Sequence, residues 1–164
     1  MNESAGHNQT NRDQWVIHAL ADLPASARLL DAGAGKQPYR PHCEHLDYVS
    51  QDFAAYDGAG DGVGLQKGED WNYDGLDIVS DIVAIPEPDA SFDAILCTEV
   101  LEHVPDPIAA LREFARLLRP GGQLLLTAPF CSLTHYAPFH FCTGFSRYFY
   151  ERHLGELGFR SEEH

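Results

Sequence analysis

Basic charge is scarce in this sequence: 11 lysines and arginines stand against 25 aspartates and glutamates, for a net charge of −14. A chain of that sign repels phosphate backbones, so no nucleic-acid partner is expected. Arg112, Arg116 and Arg119 form one short helical row among acids and read as a solvated face. Cysteine pairing is absent as well. Cys43, Cys97, Cys131 and Cys142 make no C-x-x-C motif and read as reduced thiols. No apolar run approaches the roughly 20 residues of a membrane span. Residues 1–11 are polar, without the apolar stretch of a secretory signal. The expectation is a cytoplasmic protein with no membrane contact. Internal repeats and low-complexity tracts are also missing.

What remains is ordinary globular material, 164 residues long, 44% hydrophobic and 22% charged. That length suffices for one domain that buries roughly 70% of its unfolded surface. Residues 1–11 read as a disordered tail and 12–164 as a single domain. A helix is expected over 12–23, ended by Pro24, and a first strand over 27–32. A second strand is expected over 45–52. Residues 53–76, rich in Gly and Asp, show little helical periodicity and read as a long loop, with Trp71 as an anchor. A third strand is expected over 77–84, ending near Asp81. FDAILC at 92–97 is a continuous apolar run typical of a central parallel strand.

The second half of the chain carries clearer punctuation. Residues 99–104 open a helix or turn. Asp106 is suited to cap a helix and Pro107 to start it. Ile108, Leu111, Phe114, Ala115 and Leu118 then fall on one face. Pro120-Gly121-Gly122 should stop that helix before a fifth strand at 123–129. An aromatic and histidine-rich loop at 130–144 precedes a helix at 145–157, with Phe145, Tyr148, Phe149, Arg152 and Leu154 toward the core. Gly158-Phe159 should begin another strand. The alternation gives an α/β fold: an open, mostly parallel Rossmann-like sheet with helices on both faces.

The organising stretch is LLDAGAGKQPYR, residues 29–40. Two apolar strand residues lead to Asp31, and Gly33 and Gly35 free the backbone for a close ligand approach. A glycine turn at the carboxyl edge of an open sheet is where such folds bind nucleotide-like ligands. Asp52 follows Asp31 by 21 positions, at the end of the second strand, where a nucleotide-binding unit places an acid for ribose hydroxyls. The third glycine of the G-x-G-x-x-G dinucleotide fingerprint is missing: its place holds Gln37. This disfavours a nicotinamide oxidoreductase.

Four blocks in order then identify a family. They are LLDAGAG at 29–35, YVSQD at 48–52, SDIVAIPEPDASFDAILCTEVLEHVPDP at 80–107, and LREFARLLRPGGQLLLTAPF at 111–130. Together they resemble the class I S-adenosylmethionine-dependent methyltransferases, in the type 11-like subgroup, over roughly residues 27–160. The resemblance implies that Asp31, Gly33 and Gly35 line the methionine part of S-adenosyl-L-methionine and that Asp52 holds the ribose hydroxyls. It places Asp81 at the adenine amino group, Ile82 against the ring, and Cys97 and Thr98 at the methionyl end. The physics agrees: a cationic sulfonium with a diol suits strand-end carboxylates, whereas a pyrophosphate prefers helix N-terminal amides.

Function follows as an expectation: methyl transfer from S-adenosylmethionine to a small-molecule or saccharide-type acceptor through an oxygen or nitrogen nucleophile. A general base is needed only for poor nucleophiles such as hydroxyls. His103 and His140 are the candidate catalytic residues, with His135 as another candidate and Tyr136 as a positioning group. Glu99, Glu102 and His103 have E-x-x-E-H spacing, which places them on one helical face if the segment is helical. That spacing resembles the metal-binding motif of ubiquinone-pathway O-methyltransferases and of small-RNA 3′-end methyltransferases. His135 or His140 would complete a divalent-metal site. EVLEHV is also common in methyltransferases without metal, with Glu99 near the cofactor and His103 at the site rim, and the metal-free reading is preferred.

One departure from the family bears on function. Its sheet normally ends with two more strands, and this chain ends where the first would start. The expected domain is therefore short at its C-terminus, with a fifth-strand edge open to pairing in a homodimer. The competing reading is a non-catalytic S-adenosylmethionine-binding or partner-binding domain.

Overall fold

A computed structural model describes residues 3–58 and 72–161, with side chains from residue 9 onward. Trp71 and most of the glycine-rich loop lie outside the described residues. Helix α1 spans Glu3–Ala21, β1 Arg28–Ala32, β2 Asp47–Asp52, β3 Ile78–Val79, β4 Phe92–Thr98, α2 Pro107–Leu117, β5 Leu118–Thr127 and α3 Arg147–Glu156. Short 3-10 turns occur at Arg40–His42 and Leu101–His103. The five strands form one parallel sheet in the order β3-β2-β1-β4-β5. The chain runs outward from β1 in one direction and restarts at β4 on the other side. The carboxyl ends of β1 and β4 therefore flank the point where strand order reverses, the place such sheets reserve for ligands.

Both faces are covered, as a parallel sheet requires. On one, Val16 and Leu20 of α1, four residues apart, pack with Leu29, Ala94, Leu96 and Leu125 and with Tyr39 and Cys43 from the β1–β2 connection. On the other, Ala110, Leu111, Phe114 and Leu117 of α2 meet Leu30, Ala32, Ile95 and Cys97. Alternate residues of β1 and β4 thus feed opposite layers. Asp106 caps α2 as expected, its Oδ1 accepting from the Ala109 N–H at 2.9 Å, with Pro107 next.

Several expectations shift. The polar segment expected to be a tail is helical from Glu3. The third strand shrinks to Ile78–Val79, because Asp81 Oδ1 and its carbonyl take the N–H groups of Val83 and Ala84 into a turn. The Pro120-Gly121-Gly122 stop falls inside β5: Leu118 pairs with Phe92, Gln123 with Ala94, and the intervening residues bulge, with Gly121 at φ +81°. No strand follows α3 among the described residues. Gly158, at φ +85°, turns the chain so that the Phe159 N–H reaches the Leu154 carbonyl at 3.0 Å, and Phe159 packs back on the core. On α3, Tyr148 and Arg152 face solvent, while Phe149, Tyr150 and Leu154 face inward. Arg116 is no bare surface charge either. Its guanidinium binds Glu113, Asp89 and the carbonyls of Ile85 and Glu87, fixing the loop before β4 to α2.

Phe114 is fully buried between α2 and the sheet. Phe114→Ala should cost about 3–5 kcal/mol by urea unfolding, through lost transfer energy and the cavity left behind. An unchanged midpoint would mean that α2 is not seated on this core.

Candidate cofactor and acceptor site

The site begins where β1 ends. Gly33 has φ +76°, and a Cβ placed there would lie 2.5 Å from a methyl of Val100. Only glycine lets the turn after β1 touch the segment after β4 so closely. Its N–H and that of Ala34 both donate to the Gln51 carbonyl at 2.9 Å, which extends the β1–β2 pairing into the turn. The Gly35 N–H then donates to Asp52 Oδ2 at 2.9 Å, and the Ala54 N–H to Asp52 Oδ1 at 3.0 Å. Asp52 is thus fixed from both sides, with lone pairs left on each oxygen.

Asp31 is buried, 2% exposed, and accepts from the Tyr48 hydroxyl at 2.6 Å. Burial pushes its carboxyl up to about 7; the Tyr48 bond opposes this and the nearby Asp52 charge adds to it. Tyr48 was not anticipated from sequence. Its register was the available signal: Tyr48 pairs with Leu29, and Asp31 pairs with Ser50, so Tyr48 is diagonal to Asp31.

The remaining cofactor candidates are placed less uniformly. Asp81 is exposed in the turn after β3, and Ile82 is buried in the α2-side core. Cys97 is fully buried in the same core, so its thiol presents no surface to a ligand; burial raises its pKa well above the ordinary thiol value. Thr98 is half-buried at the end of β4.

The E-x-x-E-H segment does not form the expected helical face. Glu99 sits at φ +54°, before the 3-10 turn, with its N–H on the Thr127 carbonyl and Oε2 3.2 Å from Arg12 Nη1. Arg12 lies on α1 and was not anticipated; nothing in its local sequence signals a partner 87 positions away. Glu102 turns elsewhere. It is completely buried, and neither carboxylate oxygen has a hydrogen-bond partner. Its Oε1 lies 3.7 Å from His103 Nε2 and 3.9 Å from His135 Nε2. Burial pushes this carboxyl up to about 7.

The 130–144 loop supplies the rest. It docks on the 3-10 turn through the Glu102 carbonyl, which accepts from the N–H groups of Phe141 and Cys142 at 2.8 and 3.1 Å. Ligating nitrogens of His103, His135 and His140 come within 4.8 Å of one another. Burial, with the two neighbouring imidazoles, pushes His103 down to about 4, against the effect of its bond to the Phe139 carbonyl. Burial and His135 also lower His140. Tyr136 stands beside the cluster, its ring 5.2 Å from His103 and 5.1 Å from His135. A chain of edge contacts links it through Tyr56 and Phe139 to Phe53, the residue after Asp52. The Tyr73 hydroxyl holds Tyr56 by its carbonyl at 3.0 Å.

A glycine turn at the strand-order reversal, acids at the ends of β1 and β2 and a histidine cluster after β4 meet a family model described as "Methyltransferase domain" over residues 6–160. The chain belongs to the class I S-adenosylmethionine-dependent methyltransferase family. A ubiquinone biosynthesis O-methyltransferase of Xanthomonas oryzae pv. oryzae (strain PXO99A) is 39% identical over 117 residues, 68% of this chain and 46% of that protein. The chain therefore spans about half the length of the curated relatives it matches. In fold, it is similar to a Bacillus halodurans C-125 protein (TM-score 0.61, 20% identity, covering 90% of this chain and 66% of that one). The YcgJ protein of Bacillus subtilis is a second fold neighbour (TM-score 0.53, 24% identity, 75% and 52%).

The Asp31 carboxyl sets a pH dependence. Between its ordinary value of 3.8 and about 7 it keeps its proton in the folded chain and loses it in the unfolded one. The folded state then binds more protons, so stability falls as pH rises through that window. Asp31→Asn should be more stable than the parent at pH 8, with the difference closing toward pH 4. Parallel stability–pH curves for the two proteins would contradict this placement.

Proposed function

We propose that this chain binds S-adenosylmethionine across the carboxyl ends of β1, β2 and β4 and methylates a hydroxyl oxygen of a small-molecule acceptor. The observation that carries the reading is the pair of buried carboxylates, Asp31 and Asp52, on either side of a glycine turn at the strand-order reversal. A cationic ligand with a vicinal diol matches that donor set; a pyrophosphate does not. When bound, S-adenosylmethionine would supply a sulfonium methyl that an acceptor oxygen can attack, the C–S bond breaking and S-adenosylhomocysteine leaving.

The chain's own contribution is mainly positional. Asp52, clamped by Gly35 and Ala54, orients the ribose. Asp31, clamped by Tyr48, faces the positively charged methionyl end. The Tyr136, Phe139, Tyr56 and Phe53 rings wall one side and suit an acceptor that carries a ring of its own. Holding acceptor and methyl group in line is worth as much as about 7–11 kcal/mol in intramolecular reactions. The His103–His135–His140–Glu102 cluster lies beside Tyr136 at the polar end of this wall and orients the acceptor hydroxyl. An imidazole pushed down to about 4 takes up a hydroxyl proton poorly, so His103 is assigned to positioning rather than to general-base catalysis. The Xanthomonas relative, named an O-methyltransferase, supports an oxygen nucleophile.

Titration calorimetry should show S-adenosylhomocysteine binding one-to-one, weakened at least tenfold by Asp52→Ala, with NAD not bound. Labelled-methyl transfer should favour phenolic and catecholic hydroxyls in a screen that also holds amine and saccharide acceptors. Binding of NAD in preference to S-adenosylhomocysteine, or transfer to amines alone, would overturn the reading.

A further inference from the structure

Gln51 is a side chain that packing alone does not explain. It is fully buried, and two residues earlier on the same face of β2 stands Val49, an apolar residue packed on the α2-side core. An amide in such a place must find its hydrogen bonds inside the protein. The register sets Gln51 between Ala32, the last residue of β1, and Ile78, the first of β3. Its amide bonds in both directions. The Nε2 donates to the Ser80 carbonyl at 2.7 Å and to the Ser80 hydroxyl at 3.3 Å. A carbonyl can only accept, so Ser80 fixes which way the amide points and leaves Oε1 for the other side. There Oε1 shares the Gly33 N–H, at 3.4 Å, with the Gln51 main-chain carbonyl.

The bonds to Ser80 meet a specific need. β3 pairs with β2 only through Ile78 and Val79, a short ladder from which to hang the turn that follows. The Ser80 N–H donates to the Asp52 carbonyl at 3.1 Å, and the Gln51 amide takes the Ser80 carbonyl. Consecutive residues of β2 thus grip Ser80 by both of its main-chain polar groups, immediately before Asp81 folds the chain into its own turn.

We propose that Gln51 is a positioning residue for the cofactor, a buried strut that holds the Ser80–Asp81 turn at a set distance from the Gly33 turn. The inference rests on the reading that S-adenosylmethionine spans these two turns, its base toward Asp81 and its methionyl end toward Gly33. Gln51 offers no surface to a ligand and acts through the two turns it joins. Without the strut, the β3 turn is held less firmly, and an arriving nucleoside must order it on binding. The loss falls on contacts to the base, because Asp52 keeps its own clamps from Gly35 and Ala54.

Gln51→Met keeps an unbranched side chain of similar length and removes the amide. Calorimetry would compare S-adenosylhomocysteine with its S-inosyl analogue, in which oxygen replaces the adenine amino group, on the full-length parent, Gln51→Met and Val49→Ala. The parent should favour the adenosyl ligand at least about tenfold. Gln51→Met should bind S-adenosylhomocysteine at least about tenfold more weakly and keep a preference of no more than about threefold. Val49→Ala, which loses packing on the same face, should keep the parent's preference. In the assigned NMR spectrum of the parent, the Gln51 side-chain amide protons should exchange slowly with solvent, a result that does not depend on the variant folding. An unchanged preference in Gln51→Met, an equal loss of preference in Val49→Ala, or fast exchange of the Gln51 amide would each overturn the assignment. A parent that binds no S-adenosylhomocysteine overturns the cofactor reading and the strut together. A parent and a Gln51→Met variant that bind it alike overturn the strut alone.

Discussion

The contact between Gly33 and Val100 sets the rest of the site. A single β-carbon at residue 33 would intrude on two methyl groups of Val100. Because it is absent, the turn after β1 and the segment after β4 lie against each other. The glycine turn and the histidine cluster are thereby placed on two sides of one packing contact. Val100 is followed directly by the 3-10 turn that carries Glu102 and His103, and preceded by Glu99, whose left-handed backbone turns its side chain toward Arg12. Strain of this kind persists only where neighbours over-determine it. Here the Thr127 carbonyl and the Arg12 guanidinium do so.

Features written in short-range patterns were legible in the sequence. The Asp106–Pro107 start of α2, the apolar run of β4, the acid 21 positions after Asp31 and the parallel α/β plan all follow from local chemistry. Where expectations slipped, a competing contact, local or distant, had the deciding role. Asp81 reads as the end of a strand, but its own side chain folds it into a turn. Pro120-Gly121-Gly122 reads as a stop, yet β4 continues to pair across it by means of a bulge. Gly158-Phe159 reads as a strand start, but a backbone bond to Leu154 closes the helix there and the Phe159 ring returns to the core. E-x-x-E-H presumes a helix that one left-handed residue, Glu99, and the three-residue 3-10 turn Leu101–His103 replace.

The acidic balance of the chain takes on a specific meaning at the site. Asp31, Asp52 and Glu102 are all buried, and burial is the main cause that pushes Asp31 and Glu102 up to about 7. Carboxylates removed from water and left short of partners are costly unless a positive charge arrives. The fold therefore concentrates its unmet demand for cations at the carboxyl edge of the sheet. The arginines elsewhere, Arg28 on Glu87 and Asp47, Arg116 on Glu113 and Asp89, and Arg119 on Asp93, are already committed to acids of the opposite edge and of α2.

The double clamp on Asp52 has an entropic consequence. Two backbone N–H groups, one from each side of the β1 and β2 ends, hold the carboxylate in one rotamer. A free side chain of this size would have to give up its rotational freedom when a ligand arrived, at a cost on the order of 1 kcal/mol. Here that freedom is surrendered during folding. On the proposed reading, the diol of an incoming nucleoside would meet an acceptor whose orientation is settled before the encounter, and its hydrogen bonds would contribute to affinity without first ordering the protein.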